Sequence, residues 1–411
     1  MQNRIIIFGD DPTGPTGFGK IVWHLSAAAL TAGFKPIVVG LKQQYDTPVS
    51  HTKIINAAAN NDPHGHDTLS ALLEAEKTEL VISIGDPWDI QGLVQVKQQH
   101  PFTWIGYTPV DATPYPRYVL LTKNPHQYLD VAFLMQQMDH IVAYSTFGQA
   151  AIREMLVRAG GSQPAASDIG MIYLGVDPNR FTPQTKAVSR SVFQGIVSKD
   201  NLLFSCMKVN SIRAGFDSLF AAWAAYLDKM GRMAPALGQQ SRLYLHTAVE
   251  DGGYPLTLLM QRYGLENSIL LNPSIKPGEC FPEEGIAAIH NASDIVVSSA
   301  RGEGFGLNIL EALSCKVPCI VPDYGCPAEY GGEAVRRVPI AATFNPEFAT
   351  TDFAIVDVPR MADRMVELAM DPEKRRRMGN AGRKIAKTLT WDLFVEKWAA
   401  TIADVVRKKR T

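Results

Sequence analysis

The chain has 411 residues, 46% of them hydrophobic and 20% charged, with a formal net charge of −1. This composition excludes a disordered or collagen-like chain and any global polycation directed at nucleic acid or membrane, and the length suits two domains with separate cores. The charge is uneven, with a net −4 over residues 1–175 and +3 over 176–411.

The N-terminus enters an apolar strand at once (RIIIFG, 4–9) with no signal-peptide pattern, and no apolar run reaches membrane-spanning length, so a cytoplasmic protein is expected. A continuous apolar strand belongs to a parallel sheet covered on both faces. The loop DDPTGPTGFGK leads into a helix over 18–32, ended by Gly33, and a strand over 35–41, which makes a βαβ unit. Gly17 and Gly19 at the helix start are potential phosphate contacts, although the third glycine and the acidic residue of a dinucleotide fingerprint are missing. The alternation continues with helix 67–76, strand 80–85, helix 89–99 and strand 103–110. After it, prolines stiffen the loop PVDATPYP and hold Asp111 at a strand's carboxyl end, as a hydroxyl ligand or as a turn-forming acid. The acids Asp10, Asp11, Asp86 and Asp89 lack metal-ligand spacing, and His64 and His66 read as solvated. Strand 139–145, helix 147–159 and strand 169–174 complete this half, and 182–200 reads as polar linker with a short helix.

The second half restarts with strand 201–207, the loop KVNSIRAG carrying Lys208 and Arg213, and a helix to about Asp228. Strand 242–247, helix 255–263 and strand 268–271 follow. Residues 294–332 then read as strand 294–299, glycine-rich loop 300–306, helix 307–314 and strand 318–322. Gly302, Gly304 and Gly306 let the main chain approach a ligand and turn its amides toward it, while the helix adds its positive end. Gly304, Phe305, Gly306, Leu307 and Asn308 thus make a phosphate cradle. Glu303 and Glu311 on either side would repel a phosphate and suit the hydroxyls of a sugar or ribose, and a nucleotide sugar offers both groups. Leu307, Leu310 and Leu313 are expected on the buried face, with Asn308 and Glu311 sharing another. Strand 353–356 and helices 358–370, 372–389 and 391–410 close the chain, the basic end at 407–410 reading as a solvated helix terminus. The cysteines at 206, 280, 315, 319 and 326 contain no C-x-x-C pair and read as buried reduced thiols.

The run EGFGLNILEA at 303–312 resembles the E-x7-E signature of family 4 retaining glycosyltransferases, and Gly175-Val176-Asp177 with Phe181 resembles that family's interdomain junction. The resemblance implies an α/β protein of GT-B fold, with two Rossmann-like domains whose parallel sheets face across a cleft. It implies an acceptor-side domain at 1–175, a nucleotide-sugar-binding domain at 176–390 and a last helix, 391–411, crossing back to the first. It also implies a metal-independent enzyme with no cofactor beyond its nucleoside-diphosphate sugar. Glu303, Asp111 and Arg213 would stand at the catalytic centre, with Lys208 and Arg213 on the donor diphosphate and Glu311 on the ribose. Gly17, Gly19 and Lys20 would lie in the loop over donor and acceptor, and 272–278 beside the nucleobase. Two positions depart from the family: Asp111 lies near a histidine of relatives, and Ala214 where a lysine usually aligns. The phrases DDPTGPTGFGK and YTPVDATPYP resemble glycosyltransferases carried by bacteriophages, some of which modify hydroxymethylated bases of DNA. That places such a base among the acceptors, beside small molecules, lipids and proteins. Two other readings are hydrolysis, with Glu303 and Glu311 as acid and base, and nucleotide binding without turnover.

Overall fold

The computed structural model describes residues 3–14, 16–42, 52–122, 127–160, 169–278 and 281–410. Among them, the first half holds β1 (Arg4–Asp10), β2 (Lys35–Leu41), β3 (Lys53–Asn56), β4 (Leu80–Ile84), β5 (Thr103–Thr108), the hairpin β6 (Tyr118–Leu120) and β7 (Tyr128–Asp130), β8 (His140–Ala143) and β9 (Gly170–Met171). All but the hairpin form one parallel sheet in the order β3-β2-β1-β4-β5-β8-β9. The second half holds β10 (Leu202–Met207), β11 (Ser241–His246), β12 (Ile269–Leu271), β13 (Ile295–Val297), β14 (Cys319–Pro322) and β15 (Val335–Val338), then the antiparallel pair β16 (Ile340–Phe344) and β17 (Phe353–Val356). Its parallel sheet runs β12-β11-β10-β13-β14-β15. Both sheets reverse their strand order beside their first strand, between β1 and β4 and between β10 and β13. Chains leave such a point in opposite directions and open a crevice at the strands' carboxyl ends.

Each half of the chain folds mainly as one of two compact units. Unit 1 comprises the chain to Gly175, the segment Asn345–Thr351 and the final helix, Trp391–Arg410; unit 2 comprises Val176–Phe344 and Asp352–Thr390. The core of unit 1 is closed by the final helix, which packs along the helix Gly17–Thr31. Trp391 stacks on His24 at 4.1 Å, and the fully buried Trp398 stands edge-on to Tyr107 at 4.9 Å. Asn345–Thr351 lies beside the β6–β7 hairpin, with Leu120 N donating to Phe348 O at 2.8 Å and Thr350 N to Tyr118 O at 3.1 Å. In unit 2, the chain's first entry and last exit lie side by side, since Val176 N donates to Leu389 O at 3.0 Å.

Three expectations change. The segment 182–200 is not polar linker: Phe193 and Val197 are buried. The buried Arg190 bonds the carbonyls of Ala292, Ser198, Lys199 and Asn201 and the carboxylate of Asp294. A guanidinium's fork of donors saturates the backbone there, which makes a polar residue a core residue. The helix expected over 89–99 is two, Pro87–Ile90 and Leu93–Gln99, because Gly92 sits against His66, whose ring would lie 1.9 Å from a Cβ at that position. His66 is therefore half-buried rather than solvated, and that burial lowers its pKa. Cys206, Cys315, Cys319 and Cys326 are buried and free, with burial pushing Cys206 and Cys315 up to about 12; Cys280 lies outside the described residues.

Trp398→Ala is expected to destabilise unit 1 by about 3–5 kcal/mol, the usual cost of emptying a fully buried indole site. Urea unfolding followed by far-UV circular dichroism checks this, with Trp398→Phe expected to recover most of the loss.

Candidate active site

The switch point of unit 2 is built by two loops that clasp each other. After β10 the chain runs through Lys208 and a 3-10 turn, Ile212–Ala214, to Gly215. Gly215 has φ +66°, and a Cβ there would lie 2.3 Å from the carbonyl oxygen of Ser299 in the loop after β13. Ser299 Oγ donates to Ala214 O at 2.9 Å, and Arg301 N donates to Arg213 O at 2.8 Å. Ala214, where the family pattern has a lysine, is buried inside this clasp. The cations brought to the site are Lys208 and the exposed Arg213. Lys208 forms an ion pair with Glu303, the two side chains being only 14% and 19% exposed. Arg301, absent from the sequence reading, is a buried anchor. Its guanidinium bonds Asp217 at 2.6 Å and lies 4.8 Å from the Phe344 ring centroid.

The glycine-rich loop is held from its other side by the helix Cys326–Tyr330. Gly306 has φ +79° and caps the helix Leu307–Ser314; a Cβ there would lie 2.7 Å from Pro327. Tyr330 donates its hydroxyl to Gly306 O at 2.9 Å, and its ring packs 5.2 Å from that of Phe305. Burial raises the Tyr330 phenol well above its ordinary range, so it remains a donor. Gly304, Phe305 and Gly306 are buried. Asn308 spends its side-chain amide on Met207 O at 3.0 Å, pinning the helix start to the end of β10.

The expected stripe of Leu307, Leu310 and Leu313 gives way to a helix buried continuously from Ile309 to Ser314, with Leu307 half-buried. The helices Glu283–Ala292 and Pro372–Ala386 cover it from two sides. Glu311 is consequently a buried acid, 7% exposed, and its Oε2 lies 3.7 Å from Nε2 of His290. His290 is fully buried, and neither ring nitrogen has a hydrogen-bond partner. The one local sign of the helix that carries His290 is the apolar periodicity of 283–292. Nearby His246, bonded through Nδ1 to the Tyr244 hydroxyl at 3.0 Å, is pushed down to about 4 by burial, with the His290 charge adding to the effect.

Other candidate residues lie in unit 1. Thr16 Oγ1 accepts from Gly19 N at 2.9 Å and donates to Asp10 at 2.7 Å, so the Gly19 amide is engaged by its own cap. Gly17 is exposed at the helix start, and Lys20 is half-buried one turn on. Asp111 is half-buried in the loop after β5, followed by a cis Thr113–Pro114 bond. Unit 2 thus assembles Lys208, Arg213, Glu303, the 304–308 amides and Glu311, whereas Gly17, Gly19, Lys20 and Asp111 belong to unit 1. Among the described residues, no group of three or more His, Cys, Asp or Glu is placed to hold a metal, and no helix is long and apolar enough to cross a membrane.

Gly215→Ala is expected to destabilise unit 2 by about 2–4 kcal/mol, because the side chain meets backbone at a positive φ; denaturant titration measures it. His246 is neutral when folded and has a pKa near 6.5 when unfolded, so its contribution is full above pH 6.5 and is lost as pH falls toward 4. The melting temperature of unit 2 should decline over that window, and His246→Gln should flatten the decline in calorimetric scans.

Residues 254–385 match the family model described as Glycosyl transferases group 1. The chain is 24% identical over 240 residues to the D-inositol 3-phosphate glycosyltransferase of Segniliparus rotundus, covering 58% of this chain and 47% of that protein. It is 25% identical over 257 residues to the protein of that name in Saccharomonospora viridis, covering 60% and 54%. The chain therefore spans about half the length of the curated relatives it matches. Among solved structures, sucrose-phosphate synthase from Thermosynechococcus elongatus superposes with a TM-score of 0.74 at 18% identity, over 99% of this chain and 100% of that one. Anabaena HepE in complex with UDP-glucose does so at 0.67 and 15%, over 98% and 99%. The chain thus has the GT-B fold, and residues 254–385 of its second unit resemble the glycosyl transferases of group 1.

Proposed function

We propose that this chain moves a sugar from a nucleoside-diphosphate sugar to an acceptor hydroxyl with retained anomeric configuration, in the manner of family 4 enzymes. The observation that carries the reading is the Lys208–Glu303 ion pair at the amino end of the helix Leu307–Ser314, with Glu311 inside that same helix. A diphosphate would bind the amides of Gly304–Leu307 and draw Lys208 and Arg213 to its charge, in charge-assisted bonds. Released from Lys208, Glu303 would accept hydrogen bonds from the donor sugar, and Glu311, set beside His290, from the ribose. The departing diphosphate would help deprotonate the acceptor on the front face, so the protein's part is positioning and stabilising charge. Hydrolysis by an acid–base pair fits less well, because Glu303 sits against a cation rather than in the apolar pocket that keeps a general acid protonated.

In this reading residues 1–175 form the acceptor side and 176–390 the donor side, with Gly17, Gly19, Lys20 and Asp111 acting from the first. UDP-glucose, the ligand of the Anabaena protein, is the first donor to test. The phage-like loop phrases bring hydroxymethylated bases of DNA into the acceptor panel, beside free polyols. Four buried free thiols suit a reducing cytoplasm, that of the host for a phage-borne enzyme.

The test incubates the enzyme with several nucleotide sugars and this panel, following donor consumption and the anomeric configuration of the product by NMR. Glu303→Gln is expected to lower kcat/KM by about 10- to 100-fold, the worth of a hydrogen bond to a charged group. Turnover is expected to survive EDTA, since Lys208 and Arg213 supply the countercharge. Unchanged donor affinity and turnover in the double variant Glu303→Gln, Glu311→Gln would falsify the assignment.

A further inference from the structure

We infer that the carboxyl edge of the parallel sheet in unit 1 is an acceptor site for an unphosphorylated polyol, with Asp86 and Asp111 taking hydrogen bonds from its hydroxyls and Tyr115 and Tyr144 giving them. The inference rests on the transfer reaction proposed above and specifies its acceptor. Strand register brings the residues together. Phe8 pairs with Ser83, Ile84 with Tyr107 and Thr108 with Ala143. Asp10, Asp86, Thr108 and Tyr144 therefore leave four adjacent strands at the same end of the sheet. The loop after β5 returns Asp111 and Tyr115 to this edge, and Thr351 Oγ1 pins it by donating to Pro114 O at 2.7 Å.

What points to a ligand is the state of the hydroxyls. Thr108, Tyr115 and Tyr144 are 1%, 5% and 3% exposed, and none of their hydroxyls has a hydrogen-bond partner. Protein interiors seldom leave such groups unsatisfied, and three of them gathered at one sheet edge beside two acids leave hydrogen-bonding capacity for a bound molecule. Burial, with the charges of Asp86 and Asp111, raises both phenols well above their ordinary range, so they stay protonated and donate. An alcohol oxygen both accepts and donates, and so matches a phenol on one side and a carboxylate on the other. A phosphate ester only accepts, and it would enter a field set by Asp10, Asp86, Asp89 and Asp111. Lys42 on this edge is already engaged by Asp10 at 2.9 Å.

The experiment uses the full chain, the donor it consumes, and acceptor pairs that differ by a phosphate: glucose with glucose 6-phosphate, and myo-inositol with its monophosphate. Hydroxymethylated duplex DNA is the polyanionic arm. The free polyols are expected to exceed their phosphates in kcat/KM by about tenfold or more, with Asp111→Asn narrowing that margin. Tyr115→Phe and Tyr144→Phe should raise the acceptor KM while donor Kd, by calorimetry, stays unchanged. Preference for a phosphorylated acceptor or for DNA overturns the inference and leaves the transferase reading standing. So does an acceptor KM untouched by both Phe variants. A chain that neither binds nor consumes any donor overturns the transferase reading, and this inference with it.

Discussion

The clasp between Gly215 and Ser299 is the contact on which the geometry of the switch point in unit 2 depends. Two loops leave β10 and β13 at a point where the sheet's strand order reverses, and without a link they would splay apart. A glycine at positive φ lets the backbones touch, and the Arg213 carbonyl takes the Arg301 amide. Lys208, just after β10, meets Glu303 in the glycine loop across this clasp. On the far side, Pro327 and Tyr330 keep the same loop from relaxing outward. Backbone donors held rigid in this way spend no energy on reorientation when a charge arrives.

Much of the supporting frame is made by arginines, two of them buried (Arg190 and Arg301) and one half-buried (Arg383), rather than by apolar packing alone. Arg301 is fixed by Asp217, Arg190 by Asp294 and four carbonyls, and Arg383 by the carbonyls of Phe181, Ser314 and Pro178. A buried guanidinium is costly unless its donors are satisfied, and each satisfied one locks several chain segments in a single geometry. Arg383 ties the chain's entry into unit 2 to the end of the helix that carries Glu311. Unit 1 shows the complementary condition, acids gathered with hydroxyls that the fold leaves without partners. The two edges differ in charge: unit 2 brings Lys208 and Arg213 to its glycine loop, and unit 1 gathers acids and phenols.

The alternation of strands and helices was legible because buried parallel strands are continuous apolar runs and the intervening helices keep their own period. The glycine loop and its two acids were legible for a different reason: glycine spacing and a helix start are local features, and the chemistry they support follows from backbone geometry. Short edge strands such as β3 and β15 were not, because a few residues paired on one side carry too little pattern. Arg190 looked like linker, and nothing local announced that Glu311 would be covered by two helices, since burial is a property of what covers a residue.

From the residues alone came the α/β alternation, the amide cradle at 304–308 and the pairing of carboxylates with it, because these depend on neighbours a few positions away. Tertiary structure decided that Glu311 stands beside His290, that Asn345–Thr351 serves unit 1, and that Tyr115 and Tyr144 share an edge with Asp86 and Asp111. Those contacts join segments tens to hundreds of residues apart. Sheet order and register set them, and neither is written in any local stretch of the chain.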